Sequence, residues 1–344
     1  MFFPTLAIAQ VNVLTYHNDN SRTGQNLSET ILTPSNVNPN TFGKLFSHSV
    51  DGYVYAQPLY VSGVNIPGQG THNVVFIATQ HNSVYAFDAD SNAGLSGGML
   101  WHTNLGPSAI VPNNDFGNRY GDYSDITVEV GITSTPVIDL ASGTIYVDAF
   151  THDGAGVYHH RIHALNITNG TERPFSPVLV TASVSGTGVD SSNGAVTFNP
   201  MQQLQRPALT LAGGILYIAY SGYADTDPYH GWVIGFEAST LQQLTNFVFN
   251  DSPNSTITDF GPNAGEGGIW MSGNGLAVDA QTNLYLITGN GSFNATNGLG
   301  HTEYGDSFIR LSSSNGLAVA DYFTPYNQDV LAANDLDLDR KSVV

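Results

Sequence analysis

One pattern recurs along this chain at a nearly constant interval, and it limits the possible folds more than any other feature. A proline heads an apolar strand at Pro58 (AQPLYV), Pro136 (STPVID) and Pro207 (QRPALT), at steps of 78 and 71 residues. A second strand with an aromatic near its centre follows, at Phe76, Tyr146, Tyr217 and Tyr285, at steps of 70, 71 and 68. Next comes a third strand with a turn (SVYAFDAD, RIHALNITNG, WVIGFEASTL, SFIRLSSSNG), then a fourth (MLWHTNL, PFSPVLV, LTNFVFN, VADYFTP). Within one copy, Gly267–Gly291 runs from a Gly-rich approach past Trp270 into a strand, a turn at Asp279–Asn283 and a second strand, which is a hairpin grammar.

A four-stranded unit that is apolar on both faces must stack against a neighbour, and radial stacking of such units buries both faces at once. The expected fold is therefore all-β: a β-propeller of four-stranded antiparallel blades. About four blades are present, approximately residues 55–130, 131–204, 205–266 and 267–330, of a ring of seven or eight. A pair of β-sandwiches predicts no repeat at this period. Ahead of the blades, residues 10–54 are mostly polar, with one expected strand at Lys44–Val50. A lone strand there suits a ring, where it completes the last blade and hides an open edge.

Composition agrees. Only 11% of residues are charged and there are 37 glycines, which favours short strands and polar turns and leaves little room for helix. The formal net charge of −19 repels a polyanion, so nucleic acid is excluded as a partner. An acidic surface of this kind either holds divalent cations or is simply solvated. With no cysteine there is no disulfide, no thiolate nucleophile and no cysteine zinc site.

The opening MFFPTLAIAQ is apolar and carries Ala7-Ile8-Ala9, the small-x-small form of an export cleavage site, without a basic n-region. Residues 1–9 read as the remnant of a signal peptide or, alternatively, as an apolar strand. No run is long enough for a membrane span, so the expected product is soluble and secreted or periplasmic. At the other end, DRKSVV (Asp339–Val344) breaks the preceding pattern and resembles translated adapter sequence. The expectation is a non-native tail on a chain that naturally continues past Leu338; the alternative is a genuine basic tail.

The third-strand signature (Ala86-Phe87-Asp88, Ala164-Leu165-Asn166 with Gly170, Gly235-Phe236-Glu237) resembles the repeat of pyrroloquinoline quinone (PQQ) propellers. Asn20-Ser21-Arg22-Thr23-Gly24 and Pro34-Ser35-Asn36-Val37 resemble the segment before the first blade of quinoprotein alcohol dehydrogenases. In those enzymes a tryptophan forms the floor under the quinone, and an asparagine in a Thr-Gly-Asn turn binds Ca²⁺. The resemblance points to Trp270 for the first role and Asn290 for the second, chemically apt because an indole suits a flat quinone and an amide oxygen a hard cation. The alternative is that Trp270 packs the channel wall and Asn290 supplies a turn.

The family's catalytic aspartate falls at Asn334–Asp337, so Asp337 or Asp335 is implied as the base for a substrate hydroxyl, or else is part of an acidic turn. The family's glutamate ligand has no clear counterpart. Asp153 stands in one loop, and Asp225 and Asp227, candidate metal ligands, stand in another. The quinone-contacting disulfide of many members is impossible here.

Other clusters are weaker. His159, His160 and His163 in VYHHRIH do not converge as metal ligands on a strand, and read as a polar blade edge. Tyr229–Trp232 (YHGW) reads as loop packing or a surface ligand contact. Gly94–Gly98 lacks the lysine of a phosphate loop. The Asn-x-Ser/Thr triplets are mostly expected by chance in so Asn-, Ser- and Thr-rich a chain. Two functions follow from these readings: an exported propeller that binds a small molecule, protein or glycan through its loops, or a PQQ- and Ca²⁺-dependent dehydrogenase of alcohols or sugars.

Overall fold

The computed structural model describes residues 11–110, 125–154, 156–223, 228–255, 265–294, 302–334, 336 and 338. Four antiparallel sheets, each with four strands in sequential order, follow one another along the chain; the third also holds a fifth, earlier strand. The first contains β1 (Leu59–Ile66), β2 (Gly70–Ala78), β3 (Ser83–Asp88) and β4 (Met99–Asn104) in sequential order. A short pair, β5 (Ala109–Ile110) and β6 (Glu129–Val130), leads to the second sheet: β7 (Val137–Asp139), β8 (Thr144–His152), β9 (Tyr158–Asn166) and β10 (Val178–Leu179). Pro174 and Pro177 remove backbone donors beside β10, which accounts for its being only two residues long.

A hairpin of β11 (Ser183–Ser185) and β12 (Ala195–Thr197) precedes β13 (Gln203–Leu204), which pairs with a strand of the third sheet. That sheet is β14 (Thr210–Ala212), β15 (Ile215–Gly222), β16 (Trp232–Glu237) and β17 (Gln243–Asn250); the fourth is β18 (Ala277–Val278), β19 (Leu284–Ile287), β20 (Phe308–Ser312) and β21 (Ala318–Phe323). Helix is confined, among the described residues, to a turn at Met271–Gly273 and the five-residue α1 (Gln328–Ala332). Among the same residues, no helix is long and apolar enough to cross a membrane.

Three apolar cores lie between successive sheets. Val74, Phe76, Val84 and Ala86 meet Ile145, Val147, Ala149 and Leu165. On the other face of the second sheet, Tyr146, Ile162 and Ala164 meet Leu216, Ile218, Trp232 and Phe236. Tyr217, Ala219 and Val233 then meet Leu276, Leu284, Leu286 and Ile309. This is an incomplete β-propeller: among the described residues the outer faces of the first and fourth sheets have no neighbouring sheet, and each carries a groove, of about 340 and 390 Å³ respectively.

The N-terminal segment ties the first strands of the sheets together. Val13 exchanges two backbone hydrogen bonds with Tyr60, the Leu14 carbonyl accepts from the Ile138 N–H, and the Asn20 carbonyl accepts from the Val278 N–H. Arg22 is the hub. Its guanidinium donates to the Leu276 and Tyr16 carbonyls and to the hydroxyls of Thr15 and Thr210. Burial lowers its pKa to about 10, so it stays cationic at neutral pH. Gly275 gives it room, since a Cβ there would stand 2.3 Å from Nη2. Lys44–Val50, expected as a strand, joins no sheet. It lies along the outer face of the first sheet, where Phe46, His48 and Val50 line the groove and the His48 ring stacks on Phe87 at 4.3 Å.

Candidate functional site

Among the described residues, several strand ends and connections between sheets pack together. Ala109, Ile126, Val130, Phe150, Tyr158, Leu204 and Tyr223, drawn from these connections and strand ends, form a separate buried cluster there. Trp270, partly buried, packs against it at the start of the Met271–Gly273 turn. Asn290 lies in the adjoining segment and is 1% exposed. The two segments are stitched together: the Gly267 N–H donates to the Asn290 carbonyl (2.7 Å) and the Gly289 N–H to the Gly268 carbonyl (2.8 Å). Such an approach requires glycine, because a Cβ on Gly291 would stand 2.6 Å from the Gly267 nitrogen. The structure thus brings Trp270 and Asn290 into one corner.

Beneath that corner is a buried acid pair. Asp251 is fully buried; its Oδ1 accepts from the Gly231 N–H (2.9 Å) and the Ser252 hydroxyl (3.1 Å). Its Oδ2 faces Gly267, where a Cβ would come within 2.3 Å. Burial pushes the Asp251 carboxyl well above its ordinary range, and nearby Glu303, itself raised by burial, pushes in the same direction. His230 bridges Ser252 (2.8 Å) and Asp190 (3.1 Å). These groups hold the Glu266–Trp270 loop in place.

Only part of the Ca²⁺ donor set expected from the sequence falls on described residues. Among the described residues, no group of three or more His, Asp or Glu side chains is placed to hold a metal ion. Asp225, Asp227, Asp335 and Asp337 lie outside the described residues. Asp153, the other acidic loop residue, is engaged by Arg161 at 2.6 Å, which holds its carboxyl below the usual range.

The histidine-rich strand differs from a polar edge. His160 is 1% exposed, with Nδ1 2.9 Å from Asp148 and Nε2 2.8 Å from the Gln203 carbonyl; Tyr220 donates to the other Asp148 oxygen at 2.6 Å. A carbonyl only accepts, so Nε2 carries a proton. This network joins the second and third sheets, and its members come from sites 12 and 72 residues apart. No local motif marks it. Tyr229, His230 and Trp232 are all buried, so YHGW is packing.

The stacked sheets define the architecture, a β-propeller of antiparallel blades. No protein-family model matches the chain, and no curated protein matches it. Solved structures do. The quinohemoprotein alcohol dehydrogenase ADHIIG from Pseudomonas putida HK5 superposes with a TM-score of 0.56 at 16% identity, over 91% of this chain and 40% of that one. A europium-containing methanol dehydrogenase superposes with a TM-score of 0.57 at 14% identity, over 92% of this chain and 49% of that one. The chain therefore spans less than half the length of either, and at these identities the likeness is one of fold.

Proposed function

We propose that this chain is the repeat propeller of an exported protein, secreted or periplasmic, and works as a binding module whose ligand is taken at the channel mouth around Trp270. The observation that supports the reading is that described residues suited to a quinone–cation site also do structural work. Asn290 is buried where two glycine-rich segments cross, Asp153 is paired with Arg161, and Trp270 packs on the cluster of Phe150, Tyr158 and Tyr223. A partly exposed indole beside a rigid corner is a suitable platform for a small molecule, or for the edge of a protein or glycan. Export rests on the small-x-small leader.

A second reading, a PQQ- and Ca²⁺-dependent dehydrogenase of alcohols or sugars, draws support from the convergence of Trp270 and Asn290 and from the fold of its structural neighbours. In it Trp270 would be the quinone floor, Asn290 a metal ligand, and Asp335 or Asp337 the base. Calorimetric titration with PQQ, with and without Ca²⁺, separates the two. Tight, stoichiometric, Ca²⁺-dependent uptake overturns the binding-module reading. No uptake by the folded chain is the expected result.

A further inference from the structure

His81 stands at the tip of the β2–β3 turn with its side chain 51% exposed, yet everything behind it is fixed. Nδ1 is 2.8 Å from Oε2 of Glu129, whose side chain is 8% exposed, and the Ser108 hydroxyl donates to the same oxygen. The Gln80 N–H donates to the Tyr53 carbonyl (2.9 Å), while the Gln80 side chain accepts from the Gly131 N–H (2.7 Å) and donates to Thr133 (3.0 Å). Asn82, in a left-handed conformation, donates to the Phe150 carbonyl (2.7 Å). Gly131 is indispensable, because a Cβ there would lie 2.2 Å from the Gln80 carbonyl oxygen. Ahead of Glu129, Val128 sits at φ 76° with its side chain exposed, an uncommon conformation for a β-branched residue.

Stability does not explain this arrangement. A half-exposed ion pair adds little to stability, and it is set beside a left-handed Val128 and an ordered turn that cost stability. Buried acid, oriented imidazole and an outward ring nitrogen form instead a preorganised proton-handling pair. Nε2 makes no hydrogen bond among the described residues. Ser108 and Glu129 immediately precede Ala109 and Val130, members of the cluster on which Trp270 packs, so the pair lies beside that cluster in the chain.

We propose that Glu129, His81 and Ser108 form a ligand site in which His81 Nε2 binds a hydroxyl group of a saccharide. The charge of the surroundings selects this chemistry. Glu129 and Asp51 face His81, both raise its affinity for a proton, and the whole chain carries −19, so an anion is disfavoured. A hydroxyl both donates and accepts, and so serves the imidazole in either protonation state. Tyr53, on the segment bonded to the turn, is 54% exposed and offers an apolar face for a sugar ring.

The proposal rests on the reading that ligands are taken at this mouth, and one experiment separates the two. The His81 imidazole and Trp270 indole signals are followed by NMR while methyl glycosides of glucose, galactose and mannose, and separately inorganic phosphate, are added to the full chain. The expected result is a saturable His81 shift with a glycoside and none with phosphate. Glu129→Gln should weaken that binding roughly tenfold and lower the His81 pKa, with the melting temperature kept as a check on folding. His81→Gln should abolish binding in a folded chain. A glycoside that moves Trp270 but not His81 overturns the proposal and leaves the mouth reading standing. A shift with phosphate alone overturns the saccharide assignment, and no response at either residue overturns both.

Discussion

The second and third sheets differ from the fourth in one respect, and the difference shows what a propeller blade needs. In β8 eight of nine residues are buried, in β15 seven of eight and in β16 five of six, because each of these sheets has a neighbour on both faces. In β20 burial alternates, and in β21 no residue is buried. The side chains do not account for this: Tyr285, Phe308 and Phe323 point apolar groups outward and are 40%, 46% and 63% exposed. Among the described residues the fourth sheet packs against one neighbouring sheet, and its other face carries exposed apolar side chains. The first sheet shows an intermediate state, since Lys44–Val50 lies across its outer face and Phe87 is buried beneath it.

The comparison is broken most directly at its buried end. Trp232 is 0% exposed and lies in the core between the second and third sheets, against Phe198 at a ring distance of 5.9 Å. Trp232→Ala leaves a large cavity in a place with no room to relax. It should lower stability by about 3–5 kcal/mol in denaturant titration. A loss below about 1 kcal/mol would mean that this interface packs no better than an outer face.

A smaller loss is expected where the same interface is polar. Tyr220→Phe keeps the ring but removes the donor to Asp148, leaving a buried carboxylate oxygen short of a partner, which costs about 1–3 kcal/mol. Burial and Asp148 together hold the Tyr220 hydroxyl well above its ordinary pKa, so it remains a donor across the working pH range.

At the boundary of the third and fourth sheets the effect depends on pH. Asp251 has a folded pKa raised above its unfolded value of about 3.8. Its contribution to stability is therefore fully present below that unfolded value and is lost as pH rises through the folded pKa. Asp251→Asn removes the charge while keeping the acceptor for Gly231. The variant should gain on the natural chain as pH is raised from acid to alkaline, read as a widening difference in melting temperature. A difference that stays flat with pH would show that the carboxyl is ionised at no cost.

Much of the architecture was legible because its signals are local and repeated. The prolines before three of the first strands and the aromatics of the second strands recur at a nearly constant interval, and four sheets follow one another along the chain. The corner was legible in part: the Thr-Gly-Asn turn pointed to Asn290 and the family resemblance to Trp270, and backbone hydrogen bonds join the segments that carry them. The networks around Asp148 and Glu129 were not legible. Their members are joined only when sheets stack or turns meet, and His160 looks the same in sequence whether it faces solvent or a buried aspartate. The role of Lys44–Val50 was hidden for a related reason, since an apolar-polar alternation fits a strand at a sheet edge and a cover on a sheet face equally well.

The smallest expected effect tests the open end of the comparison. Phe323 is 63% exposed on β21 and lines the groove with Tyr285, Phe308 and Tyr322. With no neighbouring sheet its ring contributes little, so Phe323→Ser should change unfolding stability by no more than about 0.5 kcal/mol, the range of ordinary surface substitutions. Contiguous exposed apolar surface also drives association. The same substitution should therefore reduce concentration-dependent self-association in sedimentation velocity while leaving the melting temperature unchanged. If Phe323→Ser instead destabilises the monomer as strongly as Tyr220→Phe, the outer face of the fourth sheet is already covered in solution, and the contrast between inner and outer sheets fails at its simplest point.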